Sequence, residues 1–244
     1  MQVLRSRDDI IGLTNDITRL RMSGLTFMFR GQSDASWPIQ TTLYRRYKLL
    51  WHDRDCWNEY VEEYESKKRN IISRDILNYK PTQENEDFYI LSTLRHLGFP
   101  CHLIDWTASL TTAIFFACSE KENEDGALWI LSTNQRINTS PITVSPFQIE
   151  QPLLICKEFD LIPLGKSILN LPKGRIRRFR QNGFMSIIPQ NYISKDFEYL
   201  LNDDYSLQKV TISCILKKRV LEYLNRDGKL SKYIMADISN SINF

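Results

Sequence analysis

The chain has 244 residues, 42% of them hydrophobic and 25% charged, with 9 Gly and 9 Pro. Such proportions suit a soluble globular protein that builds its core without disulfides or metals, and they exclude a disordered chain or one strung on long linkers. The net charge of +3 is uneven: residues 1–122 carry 16 basic and 17 acidic side chains, residues 123–244 carry 16 and 12.

In chain order, Asp8 to Arg21 has apolar residues at helical spacing and acidic residues at its start, which predicts an opening helix broken at Ser23-Gly24. Leu25 to Arg30 is rich in β-formers and predicts a short strand turning at Gly31. Cys56 to Leu77, long, charged and without Gly or Pro, predicts an amphipathic helix buried through Tyr60, Tyr64, Ile71 and Ile72. A further helix is expected over Glu84 to Leu97, with Glu84, Glu86 and Asp87 at its positive end and Gly98-Phe-Pro100 as its stop. Asp105-Trp-Thr107 offers capping side chains for the next helix, whose Leu110, Ala113, Ile114, Ala117 and Cys118 share one face. An acidic loop, Glu120 to Asp125, leads to a strand over Ala127 to Leu131. Strands are then expected over Pro152–Cys156, Phe184–Ile188 and Leu207–Leu216, followed by a helix over Lys217–Asn225 and a last short one. Helices fill the first half and strands the second without βαβ alternation. This predicts one mixed α+β domain over residues 1–244.

The longest apolar run, Ala113 to Cys118, is far below the roughly 18 residues of a membrane span. No apolar segment follows the basic residues of Met1 to Asp9, so no signal peptide is expected. The five cysteines (Cys56, Cys101, Cys118, Cys156, Cys214) are odd in number and form no Cys-x-x-Cys pair. Reduced thiols in the cytoplasm fit that pattern. With three histidines, no metal set is expected.

Phosphate loops, Gly-x-Gly-x-x-Gly, Gly-x-Ser-x-Gly and His-Glu-x-x-His are all missing. Three polar clusters in apolar surroundings remain. In Phe29-Arg30-Gly31-Gln32 an arginine ends a hydrophobic strand. A buried guanidinium needs a partner, either an internal acid or a bound phosphate or carboxylate, and Gly31 would let a ligand approach the backbone. In Leu94 to Thr107 a helix end, a Gly-x-Pro turn, an acid, an indole and a hydroxyl stand together. Singly, His96 reads as a satisfied histidine, Asp105 and Thr107 as caps and Trp106 as core; their concentration marks a candidate site. Lys173, Arg175, Arg177, Arg178 and Arg180 lead into Gln181 and form a basic run suited to phosphate or to solvent.

These clusters, in this order, resemble the FRG domain, a family named for the triplet seen here as Phe29-Arg30-Gly31. The resemblance runs from about Leu25 to the Asp237 region. It takes in Gln32, Trp37, Leu43 and Arg45, then the His-x-Gly-x-Pro-x-x-Leu-Leu-Asp-Trp-Thr pattern through His96, Gly98, Pro100, Leu103, Asp105, Trp106 and Thr107. A third block matches through Gln181, Gly183 and Phe184. The chain departs from the pattern at Arg95 (Gln), Cys101 (Thr), His102 (Arg) and Ile104 (Leu), so that His102 and Ile104 leave the site one basic group fewer.

The family's layout is similar to that of ADP-ribosyltransferases, and the resemblance implies roles. Arg30, with Gly31 and Gln32, would hold an NAD phosphate. His96 or Thr107 would bond the nicotinamide ribose, and Trp106 or Phe29 would wall the ring. Gln181 would stand where such enzymes place a Glu, with Glu150 (in Gln148-x-Glu150) and Asp105 as the available carboxylates. The expectation is a cytoplasmic ADP-ribosyltransferase-like enzyme with NAD as substrate. A toxin or anti-phage role, an RNA or protein acceptor and a separate inhibitor protein are implied with it. The alternatives are a nuclease holding Mg²⁺ between Asp105, Glu150 and His96, and a non-catalytic module that binds phosphate or nucleic acid through Arg30 and the basic run.

Overall fold

The computed structural model describes residues 2–52, 55–73, 86–135, 142, 144–157 and 183–224. Its helices are α1 (Arg7–Met22), α2 (Thr42–Tyr47), α3 (Cys56–Ser73), α4 (Glu86–His96), α5 (Leu110–Cys118) and α6 (Cys214–Leu224). The strands are β1 (Gln2–Leu4), β2 (Thr26–Gln32), β3 (Leu103–Thr107), β4 (Gly126–Thr133), β5 (Leu153–Lys157), β6 (Gly183–Ile187) and β7 (Tyr205–Ile212). All seven strands join one mixed sheet in the order β1-β7-β4-β2-β3-β6-β5, antiparallel except where β1 runs parallel to β7. The α+β class expected from the sequence is the class observed. Among the described residues, no helix is long and apolar enough to cross a membrane.

Helices cover both faces of the sheet. Alternate residues of β2 and β4 therefore enter different cores: Phe27, Phe29, Leu128 and Ile130 meet α1, α5 and α6, while Met28, Trp129 and Leu131 meet the side of α2, α3 and α4. Burial on both faces explains why Ala127 to Leu131 reads as a continuous apolar run rather than an alternation.

Local chemistry sets the helix ends. Ser6 caps α1 in a capping box: its hydroxyl accepts from the Asp9 amide at 3.2 Å, and the Asp9 carboxylate accepts from the Ser6 amide at 2.8 Å. Gly98, at φ +92°, closes α4, with the Phe99 amide donating back to the Leu94 carbonyl at 2.9 Å.

The structure corrects several boundaries. Asp105, Trp106 and Thr107 do not cap a helix; they end β3, whose five residues all pair with β6. Ser109 caps α5 instead, its hydroxyl accepting from the Thr112 amide at 3.2 Å. β7 stops at Ile212 and α6 begins at Cys214, earlier than the helix expected from Lys217. β2 does not turn at Gly31 but continues to Gln32. The helix expected after Asn225 lies outside the described residues.

His102 has no exposed surface and sits in an aromatic box, its ring centroid 5.3 Å from Trp57, 5.6 Å from Tyr60 and 5.2 Å from Phe147. Its Nδ1 shares a 2.7 Å hydrogen bond with the Tyr60 hydroxyl. Burial lowers its pKa to about 3, with the Pro146 carbonyl pulling weakly the other way. The unfolded chain takes up a proton near pH 6.5 that the folded chain refuses until about pH 3, so stability falls as pH drops through that window. The expected loss is about 2 kcal/mol by pH 5. Urea unfolding at pH 7, 6 and 5 should show this slope in the wild type and a flatter one in His102→Phe; equal slopes would exclude His102 as its source.

Candidate active site

β2 and β3 are neighbours in the sheet but share a single register pair, Phe29 with Thr107. A cleft of about 270 Å³ lies where the two strands meet, bordered by β2 (Phe29 to Gly31), β3 (Asp105 to Thr107), the end of α4 (Arg95, His96) and one side of α5 (Thr112, Phe116). The second motif block thus reaches the cleft from two elements, the last turn of α4 and the end of β3.

Arg30 is the centre of this arrangement. Its Nη1 donates to the Asp105 carbonyl oxygen at 2.7 Å, bridging the two strands. Its Nε is buried and has no hydrogen-bond partner among the described residues. Arg95 reaches the same residue from α4, its Nη2 donating to Asp105 Oδ2 at 2.6 Å, while Oδ1 is buried without a partner.

The electrostatics are lopsided. Burial lowers the Arg30 pKa to about 10; the Asp105 carboxylate opposes that fall, and the charges of Arg95 and Arg45 add to it. Burial and the charge of Arg95 lower Arg45 in the same way, again with Asp105 opposing. Among the described residues, the guanidiniums of Arg30, Arg45 and Arg95 thus all lie within the field of the Asp105 carboxylate. Such a site favours a further anion, because Coulomb attraction is strong where water is partly excluded.

Seven of the expected residues come together at this cleft: Phe29, Arg30, Gly31, His96, Asp105, Trp106 and Thr107. Their parts differ from those expected. Gly31 gives room to the protein's own helix, since a Cβ there would meet the Ala113 carbonyl and the Ala117 amide of α5. Trp106 borders the cleft, but its ring packs 5.3 Å from Phe197 and its Nε1 donates to Ser186 Oγ at 2.8 Å, so the indole belongs to the core. Phe29 is fully buried and stacked on Phe27. Phe116, half-buried on α5, is the aromatic ring left to face a ligand.

Gln32 is not at the cleft. It is buried, accepting from Trp129 Nε1 at 2.5 Å and donating to the Pro38 carbonyl at 3.2 Å. Glu150 is exposed before β5 and does not line the cleft. Among the described residues no three His, Cys, Asp or Glu side chains gather as a metal set. Asp105, Glu150 and His96 therefore do not gather around one point. Gln181, Lys173, Arg175, Arg177, Arg178 and Arg180 lie outside the described residues; β6 begins at Gly183, the register partner of Thr107.

Sequence reasoning passed over Arg95, Thr112 and Phe116. Arg95 left a signal, an arginine in the last helical turn beside the motif histidine. Phe116 and Thr112 left none beyond their place on an apolar helix.

Comparison with the curated proteins and with the solved structures gives no match. The model of the FRG domain matches residues 26–126, from the first residue of β2 to the first of β4. That stretch holds the Phe-Arg-Gly triplet and the second block but stops well before Gln181, short of the Asp237 region to which the resemblance was read. Every described residue that lines the cleft falls inside the stretch, residues 26–126, that is similar to the FRG domain.

Proposed function

We propose that the cleft binds NAD and that the protein transfers its ADP-ribose unit to an acceptor. The observation that supports this most is the gathering of three guanidiniums, Arg30, Arg45 and Arg95, about the Asp105 carboxylate among the described residues. An anion with several oxygens satisfies such a site, and guanidinium forks match phosphate geometry. Thr107 and Thr112 bring hydroxyls of the kind a ribose bonds, and Phe116 brings a ring face.

In the reaction the C1′–N bond to nicotinamide breaks, and its electron pair leaves with neutral nicotinamide. The acceptor's oxygen or nitrogen forms the new bond to C1′ and gives up its proton. Positive charge develops on the ribose in between, so positioning and electrostatics carry catalysis. Arg30 and Arg95 fix the phosphate. Asp105, a cleft residue whose side chain is 38% exposed, faces the developing charge and receives the proton on its carboxylate. On this reading the acceptor is a nucleic acid, RNA before protein, because the basic run from Lys173 to Arg180 adjoins Gln181 in the sequence. The setting implied by the family resemblance is a cytoplasmic toxin or anti-phage effector restrained by an inhibitor protein.

Purified protein incubated with labelled NAD and cellular RNA or protein should yield a labelled acceptor. Arg30→Ala should cut transfer by about 100-fold or more, the scale of losing one group that stabilises charge. Asp105→Asn should also lose transfer yet bind NAD more tightly, by about tenfold, since it deletes the negative charge that competes for the arginines. Full transfer by Arg30→Ala would remove Arg30 from the site. NAD binding without transfer to any acceptor would leave a binding module.

A further inference from the structure

The cleft is small for a dinucleotide. Its volume of about 270 Å³ falls just under the roughly 300–1,000 Å³ typical of sites for drug-sized ligands. NAD is larger than such ligands, so one nucleotide half enters and the other must lie over the rim. What the rim offers therefore decides how the second half is held.

Next to the cleft residues Phe29 and Thr107 stands Arg21, an exposed residue in the last turn of α1. Although exposed, it is tied in place. Its guanidinium carbon lies 5.5 Å from the centre of the Phe29 ring, and Phe29 borders the cleft. Its Nη2 donates to the Ala108 carbonyl at 3.0 Å, and Ala108 directly follows Thr107, the last cleft residue of β3. The contacts hold one flank of the fork and leave the other N–H groups of this five-donor side chain available. A cation fixed in this way binds an anion with less loss of side-chain freedom than a surface arginine that must first be ordered. No acidic side chain is paired with Arg21 among the described residues.

We propose that Arg21 is a ligand-positioning residue that holds the phosphate of the outer half of a dinucleotide, while Arg30 and Arg95 hold that of the inner half. The inference rests on the NAD reading of the cleft and adds a division of labour to it. A mononucleotide fills the inner cleft and does not depend on Arg21; a dinucleotide depends on both poles. Selectivity for dinucleotides over mononucleotides thus arises at the C-terminus of α1, outside the segment that matches the family.

The test is calorimetric titration of the full chain and of Arg21→Ala and Arg21→Lys with NAD and, separately, with nicotinamide mononucleotide. Arg21→Ala should weaken NAD about tenfold, as expected for a hydrogen bond to a charged group, and leave the mononucleotide within about twofold of wild type. Arg21→Lys, which keeps the charge without the fork, should fall between. Arg21 lies on an exposed helix end, and matching thermal midpoints for the three proteins will confirm that the fold is kept. If Arg21→Ala weakens both ligands equally, or neither, the inference fails while the NAD reading stands. If the wild type binds neither ligand, the NAD reading itself fails and the inference goes with it.

Discussion

Lys217→Met is expected to cost the protein roughly 3–5 kcal/mol in a urea titration, the range for breaking a buried charged contact. Lys217 has no exposed surface. Its Nζ donates to four backbone carbonyls, those of Ser33, Glu120 and Lys121 at 2.8 Å each and that of Glu124 at 3.0 Å. An ammonium has three protons, so four acceptors share them, and the positive charge is held by carbonyl dipoles rather than by a carboxylate. The cage ties the loop between α5 and β4 to the end of β2 and to α6. Methionine matches the apolar stem in length but offers the carbonyls nothing. Those that water cannot reach then carry an unpaired-acceptor penalty of about 1–3 kcal/mol each. Arginine is no substitute, since its larger fork does not fit a space closed around one nitrogen. If Lys217→Met unfolds within about 1 kcal/mol of wild type, the cage contributes nothing net.

Lys217 also shows where sequence reasoning runs out. A lysine near the start of an amphipathic helix reads as solvated surface, because nothing local announces carbonyls from residues 33 and 120–124. Local signals did well where they were sufficient. The apolar run of β4, the stop at Gly98 and the start of α3 come from periodicity, glycine and composition, and each stands close to its expected place. β3 was misread because Asp105 and Thr107 are ordinary capping residues. Five residues become a strand only through pairing with β6, some 80 positions on. β1 and α2, three and six residues long, are too short for any period to show. The same split runs through the site. The motif blocks identified Arg30, His96, Asp105 and Thr107 as neighbours of a cleft. That Arg95 reaches across the Gly98 turn to Asp105, and that Gln32 is spent on Trp129, depends on how strands and helices come together.

Gly31→Ala is the substitution that separates two explanations of the family triplet. In the first, glycine lets a ligand approach the strand backbone, and alanine would harm binding while sparing the ligand-free fold. In the second, glycine lets α5 approach, and alanine would harm the fold itself. The structure favours the second. A Cβ on Gly31 would lie inside the contact distance of the Ala113 carbonyl oxygen and 2.5 Å from the Ala117 amide nitrogen. Both atoms are backbone, so no rotamer change relieves them. Gly31 is not among the glycines at positive φ, so the requirement is space and not backbone freedom. Either α5 lifts off the sheet or β2 bends, opening the core formed by Phe27, Phe29, Ala113 and Ile114. A loss of about 3 kcal/mol or more is expected, at or beyond the upper end for overpacked cores. Because Thr112 and Phe116 ride on the same helix, any Gly31→Ala protein that still folds should also lose ligand affinity. Shrinking the facing side chain by Ala113→Gly should not rescue it, since the clash is with main-chain atoms. Ligand-free Gly31→Ala with wild-type urea stability would return the glycine to the ligand.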